Sequence, residues 1–282
     1  MTVDLDHLRG WIGRREEAVD VAAAGPLQGL SATLDRDDAE PRPGDAVPPG
    51  GHWLYFLPRT RASELAADGH AERGGFLPPV PLPRRMWAGG RLEFLKPLRV
   101  GDRMRRISEV SDVTAKEGHS GPLVFVRVRH EISGPDGPAL IEDHDIVYRG
   151  EENAPARPRP APGEAVWRRT VRPDPVMLFR YSALIFNAHR IHYDHRYVTD
   201  VEGYPGLVVH GPLIATLLLD LCRRERPQAT VKVFDYRALG PLFDDAAFTV
   251  AGEPASDGAS AKVWAEDAEG ALAMTATAAF SP

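Results

Sequence analysis

Apolar residues recur at helical spacing near the start of the chain: Leu5, Leu8, Trp11, Ile12 and Val19 predict a helix over residues 5–22. A loop rich in Pro, Gly and Asp follows from Asp35 to Gly51. The aromatic run His52-Trp53-Leu54-Tyr55-Phe56-Leu57-Pro58 reads as a strand. Residues 58–91 carry no clear period, and an irregular segment this long points to a lid or a binding loop. Between residues 92 and 149 the period drops to two, most clearly from Phe125 to Ile132. A turn at Gly134-Pro135-Asp136-Gly137 returns the chain into a partner strand from Ala139 to Tyr148.

The stretch from Asn153 to Pro162, with Pro155, Pro158, Pro160 and Pro162, predicts an extended linker. It divides the chain into a first domain over 1–152, a linker over 153–164 and a second domain over 165–282. The second domain opens on a strand from Val166 to Val171. Asp174-Pro175 then starts a helix that runs to about Ile185. Asp194 is placed to cap a short helix at 195–201, with Gly203 ending it. A long apolar helix starts at Gly211-Pro212 and ends near Arg223-Arg224, before Pro227. Strands follow at about 230–239, 246–252 and 261–266. A last one at 271–280 lies across the turn Asp267-Ala268-Glu269-Gly270. A weak repeat aligns Glu93-Phe94, Pro97-Leu98 and Asp102 with Asp235-Tyr236, Pro241-Leu242 and Asp245. The fold class is therefore α+β, with each half able to wrap an antiparallel sheet around a helix.

Net charge is −6, which excludes the basic footprint of a non-specific nucleic-acid binder. The single cysteine, Cys222, lies in the apolar helix, so it reads as core, and no intramolecular disulfide is available. The N-terminus is acidic and unlike a signal peptide, and no apolar run of about 18 residues exists. These features predict a cytoplasmic protein with no nucleic-acid or membrane partner.

Candidate chemistry is concentrated in Asn187-Ala188-His189-Arg190-Ile191-His192-Tyr193-Asp194 and in Val208-Val209-His210-Gly211-Pro212. A helix start leaves backbone N–H groups unpaired and carries partial positive charge. Gly211 lets a ligand approach its N–H, so an oxygen gaining charge, such as a thioester enolate, would be stabilised there. His192 titrates near neutrality in water and could move the proton. His189 and His192 have the spacing of a metal pair, but no third ligand is spaced with them, so no metal is expected.

The two segments together resemble the hydratase motif of MaoC-like hot dog enzymes. In that family an Asp, a His five residues later and a His-Gly at the start of the central helix form the site. The resemblance implies His192 as the catalytic histidine and the Gly211 N–H as the oxyanion hole, with Asn187 in the position of the Asp. His189 stands for a usual Asn and Arg190 for a usual Pro. The first half is similar to the mesaconyl-C4-CoA hydratase group through Asp68-Gly69-His70, through Gly74 to Gly90 including Arg85-Met86-Trp87-Ala88-Gly89-Gly90, and through Asp145 to Arg149. That group includes itaconyl-CoA hydratases and a mitochondrial 3-hydroxyacyl-thioester dehydratase. The resemblance covers about Trp11 to the end, and it implies a double hot dog fold.

The expected activity is reversible hydration of an α,β-unsaturated acyl-CoA. A branched C5 dicarboxylyl group is favoured, with CoA as part of the substrate and no separate cofactor. His192 is expected as acid/base, Asn187 as a hydrogen-bonding anchor for water or substrate, and His189 and His210 beside the substrate. Arg190 or Arg85 would read a distal carboxylate, unless each forms an ordinary ion pair. The alternatives are a dehydratase of plain 3-hydroxyacyl chains and, because an amide at 187 cannot act as a base, an inactive thioester-binding module. Hot dog proteins usually associate, so a homodimer is expected.

Overall fold

The computed structural model describes residues 3–118, 121–150 and 158–281. A short helix, α1 (Leu5–Arg9), is followed by a strand, β1 (Arg15–Val21). The helix predicted over 5–22 therefore stops early. Gly10 caps α1 and Gly13 turns the chain with φ +84°. Residues 15–21 then pair with β3 (Arg103–Gly118), where Arg15 meets Glu109 and Arg105 meets Glu17 across the strands. Local spacing favoured a helix, and a distant strand overrode it.

A second helix, α2 (Ala24–Thr33), had no clear sequence signal, because Gly25, Pro26 and Gly29 dilute its apolar face. The aromatic run after Gly51 is a single 3-10 turn, Gly51–Leu54, instead of a strand. β2 (Arg84–Phe94) begins inside the segment expected to be irregular. With β4 (Gly121–Gly134) and β5 (Gly137–Arg149) it completes the first half-sheet.

The second half repeats the plan with β6 (Trp167–Val171), α3 (Pro175–Leu184), α4 (His195–Asp200) and α5 (Gly211–Glu225). It continues with β7 (Thr230–Ala238), β8 (Phe248–Pro254), β9 (Ser260–Glu266) and β10 (Leu272–Ser281). Asp174 and Asp194 cap α3 and α4 as expected. All pairings are antiparallel, in the order β1-β3-β4-β5-β2-β7-β10-β9-β8-β6. The weak repeat is real: Glu93 and Asp235 lie on β2 and β7, the two strands that join the half-sheets from Gly89↔Arg237 to Glu93↔Val233. Residues 153–157 of the expected linker lie outside the described residues. Its later part docks on the second half, where Pro160 bridges to Ala271.

α5 is buried from Leu213 through Cys222, which accounts for its near-continuous apolar sequence. Asp220 is the exception. Its carboxylate accepts from Arg36 (2.7 Å), Arg169 (3.2 Å) and Arg224 (2.6 Å), so the buried charge is paired by residues from both halves. The first half has no helix equivalent to α5 among its described residues, contrary to the expectation of one helix per half. Val80 and Leu82 of the loop before β2 pack against Val110, Val124 and Tyr148 of its sheet. Its sheet also carries polar groups on the inner face, with Glu142 fully buried against His52 (3.3 Å) and the Trp53 indole N–H (3.0 Å).

Candidate active site

After α3 the chain reverses at Phe186, which has a positive φ of 50°. The Asn187 N–H donates to Ser182 O (2.8 Å), and Asn187 Oδ1 accepts from the His189 N–H (2.9 Å). The acceptor end of the Asn187 amide thus helps to pin its own loop. A 3-10 turn, Arg190–His192, then carries His192 into the interior.

The lead-in to α5 lies directly against this turn. The Val208 N–H donates to Ile191 O (3.0 Å), and His192 Nδ1 lies 2.7 Å from Val208 O. A carbonyl only accepts, so Nδ1 carries the hydrogen and Nε2 carries a free lone pair. The His192 ring stacks on His210, with centroids 3.7 Å apart and planes at 16°. His210 is fully buried, and its Nε2 lies 2.8 Å from Ser182 Oγ. Burial lowers the His192 pKa to about 4, against the pull of its bond to Val208 O. His192 is therefore a neutral base at pH 7, and it titrates well below the neutral range expected from sequence.

The His210 side chain does not cap α5, and among the described residues no side chain bonds the Gly211 N–H at its first turn. The open side of Gly211 is covered by Trp87, since a Cβ there would fall 2.6 Å from the indole. Trp87 comes from β2 and packs on Trp53 and Tyr236. The first half thus forms one wall of the site, a contribution that the sequence showed only as an Arg-Met-Trp run.

Asp68-Gly69-His70 is the other first-half contribution. The Arg190 N–H donates to Asp68 O (2.9 Å) and the Arg190 guanidinium to Ala67 O (3.1 Å). Gly69 has φ +90°, and a Cβ there would meet Ala188 O at 1.8 Å, so only glycine permits this approach. The His70 ring lies 4.0 Å from that of His189, which in turn lies 5.4 Å from His192. Asp68, His70 and His189 each bring one donor atom within 4.8 Å of the others. The fold therefore supplies the third group that sequence spacing lacked. Yet His70 is already bonded to Asp68, and the positive charge of Arg85 bears on both imidazoles, which suits an anion better than a metal ion.

The two arginine candidates separate clearly. Arg190 holds Asp194 (2.8 Å) and lies 4.0 Å over the Tyr197 ring, so it is a structural pair. Arg85 is half-buried beside Tyr148, His70, His144 and His189, and among the described residues no ion pair engages it. Burial lowers the pKa values of His70, His130, His144, His189, His192 and His210, with His130 reaching about 3.

The sign of the stability change follows. Below the ordinary value of 6.5 the unfolded chain takes up protons that the native histidines refuse. Stability should therefore fall steadily as pH drops from 6.5 towards 4. Differential scanning fluorimetry at pH 7.5, 5.5 and 4.5 checks this, and an unchanged Tm between pH 7.5 and 5.5 would contradict it.

Comparison with known proteins identifies the family and the fold. Residues 50–244 match the family described as hydroxyacyl-thioester dehydratase type 2. The chain is 46% identical over 272 residues to mesaconyl-C(4)-CoA hydratase of Chloroflexus aurantiacus, covering 95% of each. Its fold is similar to a MaoC-like dehydratase from Phytophthora capsici, with TM-score 0.70 and 14% identity, covering 99% of this chain and 98% of that one. It is also similar to a Mycobacterium tuberculosis protein described as having a double hotdog fold, with TM-score 0.58 and 14% identity over 96% of each. The ten-stranded sheet is accordingly a double hot dog with one central helix.

Proposed function

Because the chain belongs to the hydroxyacyl-thioester dehydratase type 2 family, we propose that it is a hydro-lyase acting on a branched C5 dicarboxylyl-CoA. Mesaconyl-C4-CoA is the favoured substrate and itaconyl-CoA the second. The observation that carries the reaction type is the free Nε2 of His192 beside the uncapped start of α5. The thioester oxygen accepts from the Gly211 N–H, which draws electron density from Cβ. His192 Nε2 takes a proton from water as the oxygen bonds to Cβ. The enolate is quenched when that proton is delivered to Cα, and CoA enters only as part of the substrate.

Arg85 supports the dicarboxylyl reading. It shares a strand face with Trp87, and Trp87 covers Gly211. A guanidinium without a carboxylate partner at that place suits a second carboxylate on the acyl group. Mesaconyl-C4-CoA is expected to exceed crotonyl-CoA in kcat/KM by at least tenfold, about 1.4 kcal/mol of differential transition-state binding. Arg85→Gln should remove most of that preference while crotonyl-CoA turnover persists. A panel of crotonyl, mesaconyl-C4 and itaconyl thioesters with mass detection tests this. Equal turnover of crotonyl-CoA by the wild type would shift the reading to a dehydratase of plain acyl chains, and no hydration of any enoyl-CoA would favour a binding module.

A further inference from the structure

Hydration needs a second group to hold the attacking water. One lone pair of the Asn187 carbonyl oxygen is engaged by the His189 N–H, and an amide accepts no proton. The first half brings a carboxylate and an imidazole to the same place. Asp68 Oδ2 lies 2.9 Å from His70 Nδ1, and Asp68 Oδ1 accepts from the His70 backbone N–H at 2.9 Å. An ionised carboxylate only accepts, so Nδ1 carries the hydrogen and Nε2 presents a lone pair. Among the described residues no hydrogen bond reaches that Nε2. The His189 ring touches both histidines, 4.0 Å from the His70 ring and 5.4 Å from the His192 ring. The site therefore holds two imidazoles, His70 and His192, each with Nδ1 fixed as donor and Nε2 open as acceptor.

We propose that His70, held by Asp68, is the second water-binding group of the site, standing in for the carboxylate that Asn187 replaces. The inference rests on the hydratase reading above. The balance is simple. One O–H bond of the water breaks, its proton goes to His192 Nε2, and its electron pair forms the bond to Cβ. The C=C pair passes to the thioester oxygen and returns to take the proton from His192 at Cα. His70 accepts a hydrogen bond from the second hydrogen of the water throughout, and it neither gains nor loses a proton. Asp68 is a positioning residue that acts through His70. Burial alone would raise its pKa, but the bonds from His70 hold it below the usual carboxylate range. It therefore stays ionised and keeps the His70 tautomer fixed.

The test uses the full-length protein with mesaconyl-C4-CoA. His70→Ala should lower kcat by about 100-fold, within the range for the loss of one preorganised hydrogen-bonding group in the transition state, with KM nearly unchanged. His70→Gln should recover about tenfold of that loss, because its side-chain oxygen can accept from water, a rescue that a proton-transferring base would not show. Asp68→Asn should lower kcat by about tenfold, because its amide can donate to Nδ1 and so favour the other His70 tautomer. The backbone bonds between residues 66–70 and 190 do not depend on these side chains, and circular dichroism with thioester binding confirms a folded site in each variant. A folded His70→Ala protein with wild-type kcat overturns the proposal, while a wild type that hydrates no enoyl-CoA overturns the hydratase reading beneath it. Loss of wild-type activity on dialysis against EDTA, restored by zinc, also overturns it, because the cluster would then hold a metal.

Discussion

His192→Ala is expected to lower kcat by about 10²–10⁴, the range for a lost general acid/base. Its ring is buried, its Nδ1–H is fixed on Val208 O, and its Nε2 is the acceptor that remains. Asn187→Ala should cost less, about 0.5–1.5 kcal/mol, because it removes a loop hydrogen bond and no proton-transfer group. The pH profile gives a second readout. In the proposed mechanism neutral His192 is the active form, and burial lowers its pKa to about 4. In the wild type, kcat/KM should therefore hold from neutral pH down to roughly 5 and fall through about 4. Brief assays with a return to pH 7 separate this limb from acid unfolding. An acid limb that survives in His192→Ala would mean that another group controls the reaction. A His192→Ala protein with full activity would remove His192 from the mechanism altogether.

Gly211→Val is expected to reduce kcat by roughly 10²–10³, equivalent to the 2.7–4 kcal/mol lost with one oxyanion donor. The structure changes the reason for that loss. A side chain at 211 collides first with Trp87, which is braced by Trp53, Tyr236 and His144. The N–H itself survives in the variant, so activity falls because the displaced indole and the new side chain close the approach to it. Pairing the substitution with Trp87→Ala separates the two effects. Partial recovery of kcat in the double variant is expected if crowding is the cause. Near-normal kcat in a folded Gly211→Val protein would place the oxyanion elsewhere.

Much of the second half was legible in the sequence because its signals are local. The caps at Asp174 and Asp194 act on N–H groups three residues away, at Met177 and Tyr197. The apolar run of α5 reports its burial directly, and strand alternation reports a sheet with one covered face. His192 and Gly211 could be singled out because they lie in short segments with their own chemistry. The first half resisted for the opposite reason. Residues 15–21 become a strand only because β3 offers an edge, and α2 has too little apolar contrast to announce itself.

Only the tertiary structure decided which first-half groups meet the motif loop. The β2–β7 register sets Trp87 against Gly211, and the glycine at 69 lets Asp68 and His70 close on His189. Nothing in the spacing of either segment encodes that approach, because the chain between them is free to take many paths until the sheet is paired. Which of Arg85 and Arg190 holds an ion pair was also tertiary, since that depends on whether a carboxylate stands within reach. Arg190 has Asp194, and Arg85 has histidines, a tyrosine and no ion pair among the described residues. The lowered pKa of His192 follows from burial, which a sequence cannot measure: the residue type supplied the imidazole, and the packing around it moved its titration.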